Sequence, residues 1–135
     1  MKKGTILFHK NFPFKDGDSS PKLLVVLNSP TIQDPFLAVR TTSQQKHRPR
    51  QSGCIEGKNL FFIEAGKTSF PIDTWIQLYD FYEISHERFM MEFLSGRLDI
   101  KGDLPEQMVN ALINCAKRSD DISEYQLSLI SKKKN

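Results

Sequence analysis

Lys22 is the residue of this chain best placed to do chemistry, because it heads a strand-forming run. Residues 23–27 read Leu-Leu-Val-Val-Leu, the longest unbroken apolar run, opened by the turn cluster 16–21 and closed by Asn28-Ser29-Pro30. Such a run between turn residues predicts a strand buried on both faces, or the central strand of a small barrel. A lysine at its head stands where the strand leaves a loop and its side chain can face an open site. A second β-prone run, 36–42, carries Arg40 and ends in the hydroxyls of Thr41 and Thr42, with Ser43 beside them. Each also has a plainer reading. Lysine at a strand head is commonly a solvated charge, threonine suits strand ends, and Arg40 can be a surface cation.

Two further clusters could serve a ligand. Lys46, His47, Arg48 and Arg50 concentrate charge in the segment 43–53, which has no large apolar residue and reads as a long loop. It is either solvated or a phosphate footprint. Phe12 and Phe14 flank a proline in the loop expected over residues 9–21. They serve as a lid on the fold or as a flap bordering a groove. His9, His47 and His86 show no spacing with each other or with carboxylates that suggests a metal site or a nucleophilic dyad. There is no glycine-rich phosphate loop and no nucleophile elbow. No metal and no cofactor is called for.

The elements that must position these groups fit one domain. At 135 residues, with 39% hydrophobic and 26% charged residues, the chain has a globular balance and enough length to bury a core. The net charge of +3 does not by itself announce nucleic acid. Strands are expected at 4–8, 22–28, 36–42, 60–63 and 74–78, the last extendable through 82. Ser85 is placed to cap a helix whose Phe89, Met90, Phe93 and Leu94 share one face, ended by Gly96. A short strand at 97–100 comes next. Asp103 and Glu106 then read as a capping box before Leu104, Met108, Ala111, Leu112 and Cys115 at helical spacing, and a last helix is expected within 120–130. The class is α+β, mainly β: a barrel over about 4–102, a helical part over about 103–130 and a basic tail at 131–135. Cys54 and Cys115 lack metal-ligand spacing, and Cys115 is expected as a buried free thiol. No apolar stretch is long enough for a signal peptide core or a membrane span, so a soluble cytoplasmic protein is expected.

In this order the residues resemble the PemK/MazF-like family of toxin endoribonucleases. The matching pieces are Gly4-Thr5-Ile6-Leu7, residues 22–28, Ala38-Val39-Arg40-Thr41-Thr42-Ser43, residues 70–78, Ile84-Ser85 with Gly96-Arg97-Leu98, and residues 104–116. The resemblance implies an SH3-like barrel with appended helices, usually a homodimer held in check by an antitoxin protein. It further implies metal-independent cleavage of single-stranded RNA, with Lys22 and Thr42 (or Thr41) in the catalytic positions. Phe12, Phe14, Arg40, Ser43, Lys46, Arg48 and Arg50 would hold the RNA, cations on the backbone and aromatic faces on the bases. One position departs from the family. The Arg-Pro pair that opens its second strand is Lys22-Leu23 here, and an ammonium cannot offer the two-pronged grip of a guanidinium. The alternative is therefore a non-catalytic SH3-like barrel that binds nucleic acid or a protein partner.

Overall fold

A computed structural model describes residues 1–13, 19–31 and 33–131 of the chain. The run headed by Lys22 does form a strand buried on both faces. Leu24 and Val26 point to one side and Val25 and Leu27 to the other, all essentially without exposure. It belongs to β2 (Ser19–Val26), which lies between β1 (Thr5–Pro13) and β3 (Phe36–Thr42). With β4 (Gly53–Ile55), β5 (Leu60–Ile63), β6 (Thr74–Ile84) and β7 (Leu98–Asp103), these make one antiparallel sheet in the order β4-β5-β6-β3-β2-β1-β7. The two edges, β4 and β7, are not paired with each other, so the sheet is open and not a closed barrel.

Alternation along the strands sorts the core into two faces. Ile6, Val25, Leu37, Val39, Phe61 and Ile76 pack beneath α2 (Glu106–Lys117) and α3 (Glu124–Ser131). Leu7, Leu24, Val26, Phe36 and Tyr82 pack beneath α1 (His86–Leu94). Among the described residues no helix is long and apolar enough to cross a membrane.

Several expectations are corrected. The loop expected at residues 9–21 is mostly hairpin: β1 and β2 pair as far as Phe12↔Ser20 and Pro13↔Ser19, past a bulge after His9. Burial of His9 and Phe12 beneath α1 holds that extension in place. The apolar stripe of α1 largely faces outward. Phe89 is buried, but Met90, Phe93 and Leu94 are exposed, because Glu92 takes the inward position and meets His9. No capping box forms at α2. Asp103 ends β7 and accepts from the Thr5 hydroxyl at 3.0 Å, leaving Pro105 at the N-cap. The cysteines are not free: Cys54 and Cys115, with Cα atoms 5.5 Å apart, form a disulfide between β4 and α2. Strand β4, inside what reads as featureless polar sequence, brings Cys54 alongside that helix.

Gly4 shows how tightly the N-terminus is seated. It has φ +91°, and a Cβ there would lie 2.4 Å from Val109 Cγ2 on α2. Gly4→Ala is expected to lose on the order of 3 kcal/mol, strained backbone and overpacking adding together. The drop in urea midpoint measures it.

Candidate functional site

Strands β2 and β3 pair only at Leu24↔Arg40, Val25↔Val39 and Val26↔Ala38, and towards Lys22 they part. The last tie is the Thr41 hydroxyl, which donates to the Leu23 carbonyl at 2.9 Å. Beyond it opens a cleft of roughly 290 Å³ whose lining includes Lys22, Thr41, Thr42 and Ser43. Its walls are apolar: Phe8 from β1, and Phe70 with its neighbours Pro71 and Ile72 from the segment between β5 and β6. Lys22 is half-buried and makes no ion pair among the described residues.

The hydroxyls divide the work. Thr41 spends its proton on Leu23. Thr42 Oγ1 accepts from the Gln44 amide at 3.2 Å, so its own proton remains available to a ligand in the cleft. A cation and a buried hydroxyl donor against apolar walls suit an anion with an apolar neighbour, such as a phosphodiester carrying its sugar and base. Among the described residues no carboxylate or imidazole lines the cleft, and the proton-exchanging groups they offer there are Lys22 and the hydroxyls.

The other candidate residues are distributed differently. Phe12 is a core residue, 1% exposed, packed edge-on against Tyr82 and His9, and so cannot stack on a base. Phe14 lies outside the described residues. Arg40 stands opposite Leu24 on the α1 side, and its guanidinium is paired with Asp80 at 3.0 Å, away from the cleft lining. It owes that partner to residues 77–80 of β6, which bulge out opposite it.

The basic segment starts at the cleft, with Ser43, closes on itself through Arg48 and is held to the fold at Pro49 and Arg50. The Arg48 guanidinium donates to the Gln44 carbonyl at 2.8 Å, and Trp75 Nε1 donates to the Pro49 carbonyl at 2.8 Å. Arg50 is bound to Asp73 at 2.7 Å and lies over the Phe62 ring. Lys46 is exposed. Asp73, Trp75 and Phe70 were not singled out from sequence as parts of this region. The only hint was that they fall in residues 70–78, one of the pieces that carry the resemblance.

Asp73 makes the anchor titratable. Its hydrogen bond from Arg50, and then that from the Ala65 amide, hold its carboxyl below the usual range, while the same pairing raises Arg50. A lowered folded-state pKa means that the anchor is complete above the ordinary carboxylate pKa and is lost as pH falls through the lowered one. Trp75, the one tryptophan, reports on the segment through Pro49. Its fluorescence is expected to titrate below the usual carboxylate range, and Asp73→Ala should remove that step.

A buried pair lies apart from the cleft. His9 Nδ1 accepts from the Asn11 amide at 3.2 Å, which puts the proton of a neutral ring on Nε2. Nε2 lies 3.0 Å from Glu92 Oε2, a close contact without hydrogen-bond alignment. It ties β1 to α1.

The class this defines is a small α+β protein with a cleft lined by a lysine and hydroxyls at a strand divergence and a basic segment on its rim. No protein-family model matches the chain, and no curated protein matches its sequence.

Proposed function

We propose that the chain is a PemK/MazF-like endoribonuclease that cleaves single-stranded RNA without a metal, as the toxin of a toxin–antitoxin pair. The observation that carries this reading is the convergence of Lys22 with Thr42 and Ser43 in one apolar-walled cleft. Lys22 is far from the other two in sequence, and the resemblance had marked the same three residues. In this mechanism the RNA 2′-hydroxyl is the nucleophile. Lys22 neutralises charge on the phosphorane and exchanges a proton, while Thr42 donates to a phosphoryl oxygen. Phe8 and Phe70 replace Phe12 as the aromatic surface beside the phosphate. Lys46 and Arg48 extend the cationic track. An SH3-like relationship of the sheet, a homodimer, an antitoxin partner and a cytoplasmic location belong to the same reading.

The second reading, a non-catalytic domain that binds nucleic acid, is favoured by Lys22-Leu23 standing where the family has Arg-Pro. Incubation with a long unstructured RNA in EDTA separates the two. Discrete fragments are expected from a ribonuclease. Salt-dependent binding with no product over long incubation would establish the binding module instead.

A further inference from the structure

We propose that the Cys54–Cys115 bridge is a thiol–disulfide exchange site, and that its state sets how firmly the basic segment 43–52 is held beside the cleft. The consequence for RNA rests on the function proposed above; the exchange chemistry does not.

The bridge ties helix α2 to a short edge strand. Strand β4 pairs with β5 at only three positions: Gly53↔Phe62, Cys54↔Phe61 and Ile55↔Leu60. A surface cavity of roughly 210 Å³ is lined by both cysteines together with Glu56, Asn59 and Arg118. Cys54 is half-buried, and Arg118 Nη2 lies 3.3 Å from its sulfur. The other partner of that guanidinium, Glu56, is exposed and 3.6 Å away. A guanidinium against the attacked sulfur draws in the incoming thiolate and stabilises the negative charge that the three sulfurs share as the bridge opens.

The reductant is a dithiol. Its first thiolate attacks Cys54 Sγ, the S–S bond breaks, and Cys115 leaves with the electron pair and takes up a proton. The second thiolate then attacks the external sulfur of the mixed disulfide and releases Cys54 as a thiolate beside Arg118. The dithiol is oxidised by two electrons to its disulfide, and the protein bridge is reduced.

The reach of this event is set by chain order. Segment 43–52 is held at one end by β3 at the cleft and at the other by β4. Opening the bridge removes the covalent anchor of the second end, leaving three strand pairs, the burial of Ile55 against Leu60, Phe62 and Trp75, and the contacts of Pro49 and Arg50.

The test uses the full oxidised chain with dithiothreitol in native buffer, following thiol appearance by maleimide labelling. Reduction is expected without denaturant, and Arg118→Gln, at an exposed position, should slow it by about tenfold. A bridge that opens only after unfolding, or one indifferent to Arg118→Gln, overturns the exchange site. Trypsin then probes the segment. It can cut after Lys46 and Arg50 but not after Arg48, which precedes Pro49. Chemically reduced protein that keeps its far-UV circular dichroism should be cut there about tenfold faster than oxidised protein. Equal rates overturn the release of the segment. RNA affinity of the reduced form should fall severalfold. If even the oxidised form binds no RNA, the proposed function fails, whereas the labelling and trypsin results still decide the exchange site and the release.

Discussion

Lys22→Ala is expected to reduce RNA cleavage in EDTA by about 100-fold or more, the loss typical when a single charge-stabilising donor is removed from a transition state. The expectation is large because, among the described residues, no other cation lines the cleft. Arg40 is held by Asp80, Arg50 is held by Asp73, and neither lines the cleft. Thr42→Val keeps the shape, removes the donor and should cost about tenfold or more, with Thr42→Ser restoring activity. Thr41→Ser should change little, because the hydroxyl needed to bind the Leu23 carbonyl is retained. Lys22→Arg is the informative gain: a planar fork should raise the rate if the family geometry operates here. Cleavage untouched by both Lys22→Ala and Thr42→Val, in variants with native circular dichroism, would sink the site assignment.

The second large effect is on stability. Cys54 and Cys115 are 61 residues apart, so their bridge closes a long loop in the unfolded chain. Loss of that restraint is expected to destabilise the fold by about 4 kcal/mol. Against a total on the order of 5–15 kcal/mol, the reduced protein remains folded at room temperature but melts early. The double variant Cys54→Ser/Cys115→Ser should lose about 2 M in urea midpoint relative to the oxidised protein. Equal midpoints would show that the bridge contributes nothing in solution.

Much of this architecture was readable one residue at a time. The β2 run announced itself because burial on both faces demands continuous apolar sequence, and Leu24 to Leu27 are buried on alternate sides as that predicts. The cap at Ser85, whose hydroxyl accepts from the Arg88 amide at 3.1 Å, is local hydrogen bonding that the chain order alone sets. The positive φ at Gly96 is equally local. Short apolar runs between turn residues, and helical spacing only after residue 85, pointed to the mainly β class with helices towards the C-terminus.

Other features depend on partners far away in sequence, and no local pattern carries them. Phe12 looked like an exposed loop aromatic because its neighbours are Pro and polar residues; Tyr82, far along the chain, buries it. Glu92 faces inward because His9 is there, and this turns the Met90, Phe93 and Leu94 stripe outward. The disulfide needed the three-residue strand β4, too short to show periodicity, to lie against α2. The candidate cleft divides along the same line. The residue types at 22 and 41–43 are legible as strand-end cations and hydroxyls, since strand termini are local features. That they share one cavity, and that Thr42 and not Thr41 keeps a free proton, is decided only by where β2 and β3 part company. Such a divergence is a balance of packing across the whole sheet, set by contacts between residues that the chain order keeps apart.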